Sequence, residues 1–211
     1  WFLFRHGLSG VLADDMGLGK TVQALSLLLK VKQEHGSKPV LVVAPTSVLP
    51  NWEREIERFV PSLSRFTWHG ADRKENIGML EKVDVVLTSY SLIRRDIEQL
   101  KLVKFRTVIL DEAQNIKNAD SATAQACKTI DADSRVALTG TPLENRLSEL
   151  WSIFDFLMPG FLGSADAFNE RFEHPIMVQG DMETRERLKR RIHPFILRRL
   201  KTEVAKDLPP K

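Results

Sequence analysis

The residues best suited to chemistry lie in Leu12-Ala-Asp-Asp-Met-Gly-Leu-Gly-Lys-Thr21. Gly17 and Gly19 permit backbone angles closed to other residues and let a ligand approach the main chain closely. Set between an apolar run and a helix, such a loop aims successive N–H groups into one concavity at a helix N-terminus. Unpaired donors and the helix dipole favour an anion there. Asp15, Met16, Gly17, Leu18, Gly19, Lys20 and Thr21 therefore form the candidate nucleotide-phosphate cradle. Lys20 supplies a point charge for the outer phosphates, and the Thr21 hydroxyl suits magnesium. Asp14 stands where the strict phosphate-loop pattern has glycine, a departure of one residue. The plain alternative is an ordinary strand-to-helix turn.

A second constellation lies downstream. Thr107-Val-Ile-Leu110 is a β-branched apolar run that ends abruptly in Asp111-Glu112. Two carboxylates at the end of a buried parallel strand are costly without a role, and ligand sites of open α/β sheets lie at that edge. Asp111 is placed to hold magnesium through water, and Glu112 to orient and deprotonate an attacking water. The competing reading is an acidic helix start that merely favours the dipole of the next turn.

These residues need strands that stop at one edge. Strand-like runs recur at Val11–Ala13, Val40–Ala44, Val83–Thr88, Thr107–Leu110 and Val136–Thr139, with Arg65–His69 as a further candidate. Helical patterns cover Thr21–Glu34, Asn51–Phe59, Asp72–Glu81, Ser91–Leu100, Ala119–Ile130 and Glu144–Leu157. This alternation predicts an α/β fold, a mostly parallel central sheet with helices on both faces. After Pro159-Gly160 the strand character ends, and the stretch from about Ser164 to Arg191 reads as a charged helical appendage.

At 211 residues and 43% hydrophobic, the chain can bury a full core. The net charge of +3 permits a polyanionic partner without demanding one. No apolar stretch is long enough to span a bilayer and no signal peptide is visible, so no membrane role is expected. Cys127 has no partner, which excludes a disulfide framework and suggests a reduced thiol. The five histidines make no metal-ligand spacing with it. The chain starts at Trp1 and stops in Leu208-Pro-Pro-Lys211, as a piece of a longer protein would.

Further segments carry a resemblance. Ala44-Pro-Thr-Ser-Val-Leu-Pro-Asn-Trp52, Leu87-Thr-Ser-Tyr90, Asp111-Glu-Ala-Gln-Asn-Ile-Lys-Asn118 and Leu138-Thr-Gly-Thr-Pro-Leu-Glu-Asn145 follow the phosphate loop in order. Together they resemble motifs I, Ia, Ib, II and III of the SWI/SNF-type ATPases in helicase superfamily two. Glu149-Leu-Trp151 and Phe195-Ile-Leu-Arg-Arg-Leu-Lys201 resemble that family's flanking segments. The family also carries Asp at the place of Asp14, and Gln114, where many members have His, resembles its bacterial branch.

The resemblance implies the first of two RecA-like lobes of a double-stranded-DNA-dependent ATPase. Such a motor uses ATP and magnesium to track along DNA and to remodel or displace DNA-bound proteins. By the same resemblance, residues 1–163 form the ATP-binding lobe, 164–193 the appendage and 194–211 a segment leading to a second lobe. Lys20, Asp111, Glu112 and Gln114 match the catalytic positions, Thr21 and Asp111 the metal positions. Thr139, Gly140 and Thr141, with Gln114, match groups that couple nucleotide to lobe closure and DNA.

Thr46, Ser47, Thr88 and Ser89 lie just beyond strand ends, where hydroxyls can bond phosphate oxygens. Capping of the next helix or turn is an equally ordinary use for them. Arg185, Arg187, Lys189, Arg190 and Arg191 read as a solvated helix face, while Arg198, Arg199 and Lys201 alternate with apolar residues. Trp52, Trp68 and Trp151 read as packing residues.

The family's adenine-reading glutamine motif belongs just upstream of the tryptophan that Trp1 matches, and its transition-state arginines belong to the second lobe. The 211 residues alone are therefore expected to be monomeric and to hydrolyse almost nothing. The working place implied is the nucleoid-associated cytoplasm of a bacterium or the nucleus of a eukaryote. Two alternatives remain open, an RNA helicase lobe and a nucleotide-responsive docking scaffold.

Overall fold

A computed structural model describes residues 1–141 and 147–204. In chain order it contains helix α1 (Phe2–Arg5), strand β1 (Gly10–Leu12), α2 (Lys20–His35), β2 (Val40–Ala44), α3 (Leu49–Phe59) and β3 (Arg65–Thr67). Then come β4 (Val85–Ser89), α4 (Tyr90–Arg95), α5 (Ile97–Leu100), β5 (Phe105–Asp111), α6 (Ala122–Thr129), β6 (Ala132–Leu138) and α7 (Leu147–Leu157). The last elements are α8 (Ala165–Phe168), α9 (His174–Val178), α10 (Met182–Ile192), β7 (Ile196–Leu197) and α11 (Lys201–Val204).

The strands form one seven-stranded sheet in the order β3-β4-β2-β5-β6-β1-β7. Every pairing is parallel. Parallel strands need long crossovers, and helices on both faces bury the sheet twice over. Along β2 the two faces alternate: Val40, Val42 and Ala44 join a core with Leu25 and Leu28 of α2 and Trp52 and Ile56 of α3. Leu41 and Val43 join the opposite core with Ile93, Cys127, Leu150 and Phe154. Both sets are apolar, so the strand reads as an unbroken hydrophobic run.

Several boundaries differ from the sequence reading. The stretch Asp72–Glu81 is no α-helix but two short 3-10 turns, Asp72–Lys74 and Ile77–Met79. Gly78 interrupts it, and Ile77 and Met79 remain more than a third exposed, so no apolar stripe closes onto the core. The helix expected over Ser91–Leu100 breaks at Asp96 into α4 and α5. Its backbone leaves the helical region there (φ −115°, ψ 24°), and its buried carboxylate binds the Arg73 guanidinium at 2.6 Å and the Trp68 indole at 3.1 Å. Strand β6 begins at Ala132, four residues before the apolar run, because Ala132 pairs with Phe105 of β5. It ends at Leu138, so Thr139 already lies in the turn.

Residues 144–146 of the helix expected over Glu144–Leu157 lie outside the described residues, as do Pro142 and Leu143 of the motif that includes them. The two-residue strand β7 was not anticipated at all. The charged stretch after Ser164 docks through Phe168, Phe172, Ile176, Leu188 and Ile192, which share one apolar cluster with Phe154 and Phe156 of α7.

Candidate nucleotide site at the carboxyl edge of the sheet

Register explains why the site forms. Leu12 pairs with Leu138, and Leu138 with Asp111, so β1, β6 and β5 end level with one another. The phosphate loop, the Thr139-Gly140-Thr141 turn and Asp111-Glu112 therefore leave three neighbouring strands side by side. This is the edge where open parallel sheets bind ligands.

Helix α2 starts at Lys20 with Gly19 at its N-cap in the left-handed region (φ 73°), and no side chain caps it. Gly17 lies at φ 85°. Left-handed backbone at these two positions is the reason for glycine, and the uncapped N–H groups of a 16-residue helix are free for an anion. Lys20 Nζ donates to the Asp14 carbonyl oxygen at 2.8 Å. Gly140 lies so close that a Cβ there would sit 3.0 Å from Met16 Cγ and 3.6 Å from Lys20 Nζ, so the β6 turn packs directly on the loop and a side chain there would push the Met16 side chain aside.

Asp14, the departure from the strict pattern, is fully buried. Its carboxylate accepts from Gln23 Nε2 at 3.2 Å, from the Arg199 backbone N–H at 2.9 Å and from Arg199 Nε and Nη2. Burial acts to raise its pKa, but the bonds from Arg199 and Gln23 and the guanidinium charge outweigh it and hold the carboxyl below its ordinary value. The backbone follows the same path, with Ala13 N–H donating to Leu197 O at 2.7 Å and Asp15 N–H to Arg199 O at 3.1 Å. Residues 197–201 thus run along the phosphate loop as its outer border.

Asp111 is 7% exposed. Its Oδ1 accepts from the Glu112 N–H at 3.0 Å, and its Oδ2 from the indole Nε1 of Trp52 at 2.8 Å. Burial pushes the carboxyl up, and the Glu112 charge adds to this. The Trp52 and Glu112 hydrogen bonds and the Lys20 charge offset only part of that rise. Each oxygen keeps a lone pair for a further partner. A hard cation suits this carboxylate because it would favour the ionised form that burial disfavours.

Glu112 is, among the described residues, the one non-glycine at positive φ (52°), a conformation that costs about 1–3 kcal/mol and gathers at functional sites. Gln114 Nε2 donates to Glu112 Oε2 at 2.8 Å, and its Oε1 accepts from the Thr139 hydroxyl at 3.1 Å. The Thr141 hydroxyl lies 2.9 Å from that of Thr139. A continuous polar chain therefore joins Glu112, Gln114, Thr139 and Thr141 across two adjacent strands.

Of the four hydroxyls beyond strand ends, Thr46 and Ser47 are exposed on the turn before α3. Thr88 and Ser89 are not surface groups. Thr88 is fully buried and donates to Trp68 O at 3.3 Å, and Ser89 caps α4 by accepting from Leu92 N–H at 3.3 Å. The basic residues of α10 lie outward, Arg187 over the Phe172 ring and Arg191 over Phe161.

Four residues of this edge were named in the sequence but not joined to the site by these contacts: Trp52, Tyr90, and the pair Asp14–Arg199. Tyr90 Oη donates to the Asp111 carbonyl at 2.8 Å, and burial keeps its hydroxyl protonated, far above the ordinary pKa. A signal existed for Trp52: it follows Leu49 by three residues and precedes Ile56 by four, which fixes it inward, where an indole N–H needs an acceptor.

The SNF2-related domain family matches the chain over residues 1–211. The chain belongs to that family. YwqA of Bacillus subtilis is 47% identical over 219 residues, covering 100% of this chain and 24% of YwqA. The ISWI chromatin-remodeling complex ATPase ISW2 of Saccharomyces cerevisiae is 39% identical, covering 100% of this chain and 20% of ISW2. The Sulfolobus solfataricus SWI2/SNF2 ATPase core in complex with dsDNA superposes with a TM-score of 0.92 at 45% identity. That match covers 99% of this chain and 44% of the archaeal one. This SNF2-related domain thus has the RecA-like fold of the SWI2/SNF2 core, and it spans about a quarter of YwqA. Its relatives are both bacterial and eukaryotic.

Proposed function

We propose that this SNF2-related domain is the first ATPase lobe of a double-stranded-DNA-dependent translocase that remodels or displaces DNA-bound proteins. The observation that carries the reading is the level ending of β1, β6 and β5, which sets the phosphate loop, the Thr139 turn and Asp111-Glu112 on one edge. ATP phosphates fit Asp15 to Thr21, with Lys20 swinging from the loop's own carbonyl to the outer phosphates. Thr21 and Asp111 hold Mg2+, which supplies charge neutralisation of the phosphates when bound. Glu112 accepts the proton of the attacking water, and Gln114 fixes the Glu112 carboxylate while reporting to the Thr139–Thr141 turn. Exposed Thr46 and Ser47, with Gly140 and Thr141, face duplex DNA phosphates. Thr88, Ser89 and Thr139, which are buried, shape that edge from within.

Residues 1–163 make the lobe, 164–193 the helical appendage, and 194–211 the path toward a second lobe. The work is done on chromosomal DNA, in a bacterial nucleoid or a nucleus. The lobe alone acts as a monomer with negligible turnover, because the arginines that stabilise the transition state in this family belong to the second lobe.

The test is magnesium-dependent ATP hydrolysis by these 211 residues and by a longer chain that includes a second lobe, each with and without duplex DNA or RNA. Stimulation by duplex DNA in the longer chain alone is the expected result. Absence of stimulation in both sinks the motor reading, and a preference for RNA replaces it with the RNA helicase.

A further inference from the structure

Asp111 is gripped at three points, and two of the grips come from aromatic side chains outside its own strand. The Trp52 indole N–H holds Oδ2 at 2.8 Å, and the Tyr90 hydroxyl holds the main-chain carbonyl at 2.8 Å. The third is the adjacent Glu112 N–H on Oδ1 at 3.0 Å. Trp52 is fully buried and Tyr90 nearly so. Their sources in the fold are telling. The exposed turn Thr46–Val48 runs directly into α3, whose buried stripe is Leu49, Trp52 and Ile56. Tyr90 is the first residue of α4, immediately after Ser89 at the end of β4. Thus the segments that follow β2 and β4, the next two strands beyond β5 on the side away from the phosphate loop, each send one aromatic donor to the same aspartate.

A buried indole needs an acceptor wherever it lies, and Trp68 and Trp151 have theirs in Asp96 and the Gly163 carbonyl. Trp52 differs because its acceptor is the carboxylate at the candidate metal position. A displacement of α3 by a few tenths of an ångström would lengthen this bond and turn the carboxylate, since the turn that holds Ser47 runs without a break into the helix that carries Trp52.

We propose that Trp52 and Tyr90 are positioning residues for Asp111, and that they transmit contact at the Thr46–Ser47 turn to the magnesium-holding carboxylate. This rests on the proposed function. Duplex DNA seated on the turn fixes α3, α3 fixes the indole, and the indole fixes the carboxylate in the orientation that takes Mg2+. Partners of this kind around a ligating carboxylate typically carry about 10- to 100-fold in metal affinity.

The experiment uses the 211-residue chain labelled with 15N at its tryptophan indoles. Loss of one signal in Trp52→Phe assigns Trp52, and Mg2+ with ADP, then a short DNA duplex, are titrated separately. The Trp52 signal is expected to shift in both titrations while those of Trp68 and Trp151 hold still. Trp52→Phe is expected to raise the Mg2+ concentration for half-maximal nucleotide binding about tenfold. Tyr90→Phe moves it in the same direction by less. Trp68→Phe, which loses an equally buried indole bond away from the site, lowers stability without changing the Mg2+ response. In a two-lobed chain, Trp52→Phe lowers the fold-stimulation by DNA and leaves DNA affinity unchanged.

Nucleotide binding that Lys20→Ala abolishes, with an unmoved Trp52 signal and an unchanged Mg2+ requirement in Trp52→Phe, overturns the proposal. So does duplex DNA that shifts the backbone amides of Thr46 and Ser47 but not the indole. Failure of the unsubstituted two-lobed chain to respond to DNA is a different result, and it removes the motor reading itself.

Discussion

Removing the Arg199 guanidinium tests whether the residues bordering the phosphate loop hold it in place. Asp14 is fully buried, and in Arg199→Ala it keeps only the Gln23 amide and a backbone N–H as donors. Breaking a fully buried ion pair from one side costs about 3–5 kcal/mol. The Arg199 side chain is 41% exposed, so solvent screens the pair and the value falls toward that of surface pairs. The expected loss is about 2 kcal/mol, or roughly 4–8 °C in melting temperature for a domain of this size. Asp14→Asn leaves a guanidinium that water can reach, and about 1 kcal/mol is expected.

The assay is urea unfolding of both single variants and the double variant at pH 7, followed by circular dichroism. A coupling energy of about 1–2 kcal/mol between the two sites is expected. The carboxyl of Asp14 sits below its ordinary value, so its contribution is fully present above about pH 4 and is lost as pH falls through the folded pKa. The difference between wild type and Arg199→Ala should shrink accordingly. An Arg199→Ala loss under about 0.5 kcal/mol at pH 7, or no coupling in the cycle, would refute the reasoning.

Four other outcomes are expected. Glu112→Gln in a two-lobed chain retains nucleotide binding and loses at least about 100-fold in turnover, read by phosphate release. Gly19→Ala forces a Cβ into left-handed backbone at about 1–2 kcal/mol and weakens nucleotide binding measured by calorimetry, since the helix start must shift. Asp96→Ala strips the partner from Arg73, which is 7% exposed, and should cost about 3–5 kcal/mol in urea unfolding with no change in the Mg2+ requirement. Acid unfolding should set in below about pH 4. Burial raises Asp84 and Asp96, yet bonds from Lys32, Ser64, Arg73 and Trp68 bring both below the ordinary range, so protonating them forfeits those bonds.

What the sequence disclosed is what local pattern encodes. Val40–Ala44 is apolar on both faces, so it could only be a central strand, and Thr107–Leu110 stopping at Asp111 marked the carboxyl edge where the candidate site lies. The phosphate loop was legible because glycine at positions 17 and 19 has a backbone reason that needs no tertiary contact. Partners distant in sequence were not legible. The resemblance accounted for Asp14 as a residue of the loop, but not for its cation, Arg199, 185 residues away. Trp52 was read as packing, which is half its role, because no local signal says where an indole N–H will find its acceptor. Thr88 and Ser89 were placed just beyond a strand end, open to phosphate contact or to capping, and capping is the use Ser89 makes. The strand in fact continues through both, and the sheet buries them. β7 was invisible because two residues carry no period.

The pairing of β1 with β7 also governs the order in which the site can be made. β1 lies between β6 and β7, so one side of the first strand waits for the last. During synthesis β2, β4 and β5 can pair as soon as they emerge, since their partners lie within about 70 residues of one another. Until Leu197 and Arg199 leave the ribosome, the N–H groups of Ala13 and Asp15 lack acceptors and the Asp14 carboxylate lacks its cation. Contacts so far apart in sequence close slowly. A nascent chain therefore carries a completed sheet centre well before it has a competent phosphate loop, and ATP cannot assist the early steps of its own domain's folding.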